Sequence, residues 1–260
     1  MSAAITLSGG RWSLLRYTPI LAALLAVIAV VLLAIGPLGW RAGWWHFRFA
    51  LLTLMPWAAY FGLAALGVSV GALLLGRRRI EWRGVATAVA AFAVGGLIAY
   101  VPWHYDQIRQ WVPPIHDITT DPDNPPAFVA VIATRTAEGG NPVQYEGPKL
   151  AAQQRQGYPD IAPLNLALGR DAAFDRALAT AQQMGWTIVA TDKAAGRIEA
   201  SERSRWFGFT DDIVVRVTAS GSGSRIDVRS SSRLGRSDFG VNSARIRAYL
   251  AGLQASNGRG

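Results

Sequence analysis

The stretch DDIVVRVTASGSGSRIDVRSSSR, Asp211 to Arg233, decides the fold of the C-terminal half. Ile213, Val215 and Val217 recur at every second position, and Ile226 and Val228 do the same, between charged residues, on the far side of Gly221–Ser224. Alternation at period two places one face of a strand against a core, and a short Gly/Ser break between two such runs predicts an antiparallel hairpin. Upstream, Trp186, Ile188 and Ala190 predict a strand, a turn falls at Asp192–Gly196, and Arg197–Ser204 carries Ile198 and Ala200 on one face. Helical spacing flanks the strands on both sides. Asp171 is expected to cap a helix bearing Phe174, Ala177, Leu178, Ala181 and Met184 and ended by Gly185. Asp238 is expected to cap a last helix with Val241, Ile246, Tyr249, Leu250 and Leu253. The order is α-β-β-β-β-α, which predicts an α+β domain with an antiparallel sheet and helices on one face.

Residues 112–165 carry frequent prolines and are expected to be loop-rich, with a short strand or helical turn at Phe128–Thr134 and a short helix at Gly147–Gln156. A long irregular segment of this kind is either functional or wrapped over a core.

The N-terminal part differs in kind. Of 260 residues, 51% are hydrophobic and only 17% charged, against roughly 25% charged in soluble domains. Residues 1–103 hold eight Arg and a single acid, Glu81 (net +7), which leaves +2 of the total +9 for residues 104–260. Three apolar runs, about Tyr17–Pro37, Phe49–Leu75 and Gly84–Val101, are each long enough for transmembrane helices. The expected organisation is a membrane domain over 1–103 and a globular domain over 104–260. Two further spans behind the first argue for retention in the membrane rather than a cleaved signal. Arg11, Arg16, Arg77, Arg78, Arg79 and Arg83 lie on one side, and Arg41, Arg48 and Arg109 on the other. That asymmetry predicts a cytoplasmic N-terminus in a bacterial inner membrane, with the C-terminal domain periplasmic or otherwise extracytoplasmic.

Trp40, Trp44, Trp45, Trp103, Tyr105 and Trp111 flank the spans and are expected at the headgroup level. Gly62, Ala65, Gly67 and Gly71 in the second run, and Ala86, Ala90 and Ala93 in the third, are expected to allow close helix packing. No acid lies within a span, which argues against an ion or proton path. Basic residues that accompany apolar runs indicate a lipid bilayer, not nucleic acid, as partner. The chain has no cysteine, so disulfides, thiol catalysis and Cys-ligated metals are excluded.

The candidate site is the end of the hairpin and the start of the last helix: Arg229, Ser231, Arg233, Arg236, Ser237 and Asp238. Guanidinium forks, hydroxyls and free amide groups at a helix start suit an anion. The competing reading makes Arg225, Asp227 and Arg229 a charged strand face, Ser237 or Asp238 a helix cap, and Arg236 a partner of Asp238 or Asp211. Asp211 and Asp212 are adjacent on a strand and point to opposite faces, so they are no carboxylate pair. His116 and Asp117, with Asp121 and Asp123, offer acid/base or hard-metal chemistry, but their spacing fits no EF-hand loop and favours a proline-rich loop with side-chain turns. No catalytic residue, cofactor or metal site is assigned.

Four motifs in order carry a resemblance: IHDITTD at Ile115–Asp121 followed by Pro125-Pro126, YPDIAP at Tyr158–Pro163, FTDDIVVR at Phe209–Arg216, and DVRSSSRLGRSDFGVN at Asp227–Asn242 with Arg245 and Arg247. Over about 105–253 the chain resembles the bacterial and plastid family called domain of unknown function 1499. The resemblance implies a domain boundary and no activity. The expectation is a non-enzymatic module that binds an anionic lipid headgroup or acidic ligand. The alternative is an assembly or scaffolding subunit bound to another membrane protein, and a hydrolase using His116 and Asp117 ranks below both.

Overall fold

The structure, a computed structural model, describes residues 14–75 and 80–255. Arg11 and Arg77 to Arg79 of the loop-charge comparison lie outside the described residues. The chain divides into two compact units, Met1–Gln107 and Ile108–Gly260.

In the first unit a 3-10 turn at Leu14–Tyr17 leads into α1 (Thr18–Arg41), followed by α2 (Phe47–Leu75) and α3 (Trp82–Trp111). All three are long and apolar enough to cross a membrane. α1 runs through Pro37 to Arg41, and α3 continues past Val101 through Pro102 to Trp111, so both outlast the apolar runs that predict them. A π-helical turn at Ala50–Leu54 interrupts the start of α2. Between α1 and α2, Trp45 folds back and donates its indole Nε1 to the Gly36 carbonyl at 3.0 Å. Its ring fills the space where a side chain on Gly39 would stand, so this tryptophan closes the turn.

The close packing rests on a stripe partly different from the expected one. Gly62 and Ala65 of α2 are buried, but Gly67 is exposed, as are Ala86, Ala90 and Ala93 of α3. α3 instead buries Ala88, Ala91, Gly95 and Ile98. Ala22 and Ala26 of α1 meet Ala65 and Ala91, and Ala29 meets Ala58 and Ile98. Both stripes have helical spacing, and composition alone does not choose between them. The choice falls where the two backbones approach closest: a Cβ on Gly62 would lie 2.8 Å from the Gly95 carbonyl oxygen.

The second unit contains β1 (Asp117–Thr119), α4 (Ile132–Ala137), α5 (Pro148–Gly157), β2 (Leu164–Leu166) and α6 (Arg170–Gln183). β3 (Thr187–Asp192), β4 (Arg197–Arg203), β5 (Thr210–Ser220), β6 (Gly223–Ser232) and α7 (Val241–Ala255) follow. The six strands form one antiparallel sheet in the order β1-β6-β5-β4-β3, with β2 also paired to β6. The expected α+β class and α-β-β-β-β-α core are therefore present. β1 and β2 are additions from the proline-rich segment, each three residues long.

Ile198, Ala200, Ile213, Val215, Val217, Ile226 and Val228 face α6 and α7 and form the core. There Trp186 stacks on Tyr249 with ring centroids 4.8 Å apart, and Tyr249 donates its hydroxyl to the Ala177 carbonyl at 2.8 Å. Gly169, not Asp171, precedes the first turn of α6, and Asp171 lies inside that turn as a carboxylate near the helix N-terminus. Gly185 adopts a φ of 79°, which only glycine takes without strain, and ends α6 as expected.

The opposite sheet face carries the charged residues Arg225, Asp227 and Arg229 of the competing reading, but it is largely enclosed. From Ser224 onward β6 is buried at all but one position, because the segment after β1 folds across this face. Phe128 and Val131 pack on Val214, and the polar strand residues are enclosed with them.

Candidate functional site

The second face of the sheet is built from paired charges. Arg229 grips Asp117 with both arms, Nε to Oδ1 at 2.9 Å and Nη2 to Oδ2 at 2.7 Å. It also donates to the carbonyls of Pro126 and Val143 and lies 4.8 Å from the Phe128 ring centroid. Arg233 grips Asp212 in the same manner, Nε to Oδ2 at 3.0 Å and Nη2 to Oδ1 at 2.8 Å, and adds Glu138 at 2.7 Å. The hydrogen bonds to Asp212 hold the Arg233 guanidinium even more firmly in its charged form. Arg135, from α4, reaches Asp212 from the other side at 3.1 Å and donates to Ser231 Oγ at 3.0 Å. Burial pulls the Arg135 guanidinium pKa down, and Asp212 opposes that pull. Bidentate, enclosed pairs of this kind fix geometry because losing one partner strands the other charge in a dry interior.

Glu199 of β4 is fully buried (0% exposed). Its carboxylate accepts from the amides of Val129, Ala130 and Val131 at 2.9–3.1 Å and pairs with Arg197 Nε at 3.1 Å. Those amides precede α4, so the protein's own carboxylate takes the position an external anion would occupy. The same holds at α7. Asp238 accepts from Gly240 N at 2.9 Å and Asn242 N at 2.7 Å, capping the helix as expected. Burial pushes its carboxyl pKa up although both amides favour the charged form.

The six residues expected to bind an anion thus separate. Arg229, Arg233 and Ser231 lie inside the ion-paired layer, and Asp238 inside the helix cap. Ser237 Oγ accepts from Phe239 N at 3.3 Å. Arg236 alone among the three arginines is exposed, and it makes no ion pair with a described residue. Asp211 and Asp212 point to opposite faces, as their adjacency dictates: Asp211 accepts from Arg245 at 2.8 Å on the helix side. Arg245 thus takes Asp211, one of the two partners the competing reading assigned to Arg236. Sequence reasoning passed over Arg135, Glu199 and Asn242. Glu199 carried a usable signal, since it lies between the inward Ile198 and Ala200; Arg135 carried none.

The His116 backbone and the carboxylates that follow it are likewise engaged. The His116 carbonyl accepts from Ser232 N and from Asn242 Nδ2, while Asp117 is held by Arg229. Asp121 accepts from Arg216 at 3.1 Å and Arg225 at 2.8 Å, which both also bind Asp227. Among the described residues no three His, Asp or Glu side chains gather as metal ligands. The proline-rich segment gives the Val129, Ala130 and Val131 amides to Glu199 and the Pro126 and Val143 carbonyls to Arg229, and in the membrane unit Ala22, Ala26, Ala65 and Ala91 pack on one another.

One end of the domain remains open. There the β4–β5 turn exposes Arg203, Arg205 and Trp206 (40% exposed) above a stack of Phe207 on Phe209 at 5.1 Å. β6 runs out at the same end into the turn carrying Arg236 and Phe239, tied across by Arg233 N to Thr210 O at 3.0 Å. Phe239 is held at a φ of 53° and is 39% exposed. A bulky residue in the left-handed region is strained, and such strain concentrates at functional positions. The polypeptide also enters the domain here: Asp238 N donates to Ile115 O at 3.2 Å, and Gly240 lies against Val112.

An apolar three-helix segment followed by an antiparallel α+β domain defines the class, a protein equipped to sit in a membrane and carry one folded domain. Within that class, a family comparison matches residues 117–253, just over half of the chain, to "Protein of unknown function (DUF1499)", and the chain belongs to that family. No curated protein matches the chain at a significant level.

Proposed function

We propose that this chain is a non-enzymatic membrane module whose C-terminal domain docks on anionic lipid headgroups through the end where the chain enters it. The observation that carries this reading is Arg236, exposed and without an ion pair to any described residue, on the turn that holds the strained and exposed Phe239. Arg203, Arg205 and Trp206 on the neighbouring turn add cationic groups and an indole, the side chains that favour the headgroup level. Only Val112–Ile115 separate the end of α3 from this end of the domain, a reach of at most about 14 Å in extended chain. The loop arginines favour a bacterial inner membrane with the N-terminus cytoplasmic and this domain extracytoplasmic.

The absence of cysteine makes the test direct. Single variants Ser204→Cys at this end and Ser222→Cys on the β5–β6 turn are labelled with an environment-sensitive dye in the full chain, in nanodiscs of phosphatidylglycerol or phosphatidylcholine. The expected result is a blue shift at position 204 in phosphatidylglycerol only, abolished by Arg203→Ala/Arg205→Ala/Arg236→Ala, with no shift at position 222. Equal emission at 204 in both lipids, or a shift that survives the triple substitution, overturns the reading.

A further inference from the structure

The first unit holds a cleft of about 550 Å³ between the N-terminal ends of α1 and α3. Arg16, Tyr17 and Ile20 line it from one helix, and Glu81, Arg83 and Thr87 from the other. The two helices start side by side: a Cβ on Gly84 would lie 3.4 Å from Pro19 Cγ. Arg16 is exposed, donates to the Tyr17 hydroxyl at 2.6 Å and lies 4.6 Å from the Tyr17 ring centroid. Arg83 is exposed and lies 5.8 Å from the Trp82 ring centroid. Neither arginine forms an ion pair with a described residue. Aromatic faces thus hold both guanidinium groups at the ends of apolar helices, without neutralising them.

We propose that this cleft binds the phosphoethanolamine headgroup of a bilayer phospholipid. The cleft has the size of small-molecule sites, roughly 300–1,000 Å³, and it opens where a span-forming helix begins, the depth of the headgroups. Two guanidinium groups match a phosphodiester, whose charge they hold by paired N–H bonds. Glu81 explains the choice of headgroup. A lone phosphate gains nothing from a carboxylate in its site, whereas an ammonium beyond the phosphate donates to it. Choline carries the same charge but has no N–H to give. Ile20 and Ile80, also in the lining, offer an apolar wall to the start of an acyl chain. This site is on the membrane unit and does not depend on the reading of the C-terminal domain.

The test is lipid retention by the full chain, purified in mild detergent, incubated with phosphatidylethanolamine or phosphatidylcholine and weighed by native mass spectrometry. The expected result is one retained phosphatidylethanolamine, at least tenfold preferred over phosphatidylcholine. Arg16→Lys/Arg83→Lys keeps the topogenic charges but not the forks, and retention should fall about tenfold. Glu81→Gln should erase the preference between the two lipids while leaving retention itself. Equal retention of both lipids by the unaltered chain overturns the proposal, as does retention unchanged in the double lysine variant. Displacement of the lipid by millimolar inorganic phosphate would also overturn it, because a free anion would then be the better occupant.

Discussion

Arg229 and Asp117 stand 112 residues apart in sequence and share two parallel hydrogen bonds of 2.7 and 2.9 Å inside the domain. The pair joins β6 to the first strand after the membrane helices and draws the carbonyls of Pro126 and Val143 onto the same guanidinium. It is therefore the point at which the proline-rich cover is fastened to the sheet. Arg229→Ala leaves Asp117 buried and unpaired, a loss of about 3–5 kcal/mol, which lowers the melting temperature of the domain by about 6–20 °C. Arg229→Lys restores little, since an ammonium cannot make the fork. Arg229→Met/Asp117→Leu, which removes both charges, is less harmful than Arg229→Ala. Thermal unfolding followed by near-UV circular dichroism checks the order.

Glu199 governs a smaller region. Its carboxylate holds three successive amides before α4, and Glu199→Gln turns an amide donor toward groups that are donors themselves. The predicted cost is on the order of 3 kcal/mol, the full desolvation of charge-assisted bonds left unmade. The damage is local, because the Ile198 and Ala200 face of β4 is unchanged. Limited proteolysis should cut within 120–147 at least tenfold faster in Glu199→Gln, while the sheet core around Trp186 keeps its fluorescence.

Much of this architecture is written in local pattern, and the rest is not. Period-two alternation marks Ile213, Val215, Val217, Ile226 and Val228, and helical spacing marks Phe174 and Tyr249; each ends on the core side of its element. The same alternation also places Arg229, Ser231 and Asp212 on the other face, but it is silent about what covers that face. A polar strand side is solvated or ion-paired according to chain segments far away, here Asp117 and Arg135. That is why Arg229 and Arg233 resemble ligand-binding arginines in sequence and prove to be engaged in structure. Arg236 differs in that, among the described residues, no carboxylate is brought to it, a fact of tertiary geometry. Among the membrane helices the spans are legible from length and hydropathy, while the choice of Ala88, Ala91 and Gly95 over Ala86, Ala90 and Ala93 is made by packing.

Asp238 gives a pH dependence with a definite sign. Burial raises its carboxyl pKa in the folded state above the ordinary value of 3.8, so the folded domain binds this proton more tightly than the unfolded chain does. Stability attributable to this group is highest when it is protonated and declines as pH rises from below 3.8 through the raised folded value. Asp238→Asn retains a capping oxygen and removes the buried charge. The melting temperature of Asp238→Asn minus that of the unaltered protein should therefore increase with pH across this window and then level off. A difference that stays flat, measured between pH 3 and 7, would show that the cap amides fully offset the burial.

Gly62 and Gly95 set the closest approach of α2 and α3. A Cβ on Gly95 would lie 2.5 Å from the Gly62 carbonyl oxygen and 3.2 Å from Ala65 Cβ, and both helix backbones are too stiff to yield at one residue. Gly95→Leu must push the helices apart along the stripe that buries Ala65, Ala91 and Ile98. In a bilayer no hydrophobic gain compensates for the lost contacts, because lipid chains are as apolar as the side chains they replace. Gly67 lies on the same helix as Gly62 but in open space, so Gly67→Leu changes the hydropathy equally and the packing not at all. Gly95→Leu should lower the thermal inactivation temperature of the detergent-solubilised protein by several degrees, and Gly67→Leu should leave it unchanged. Equal effects would place the contact surface elsewhere on these helices.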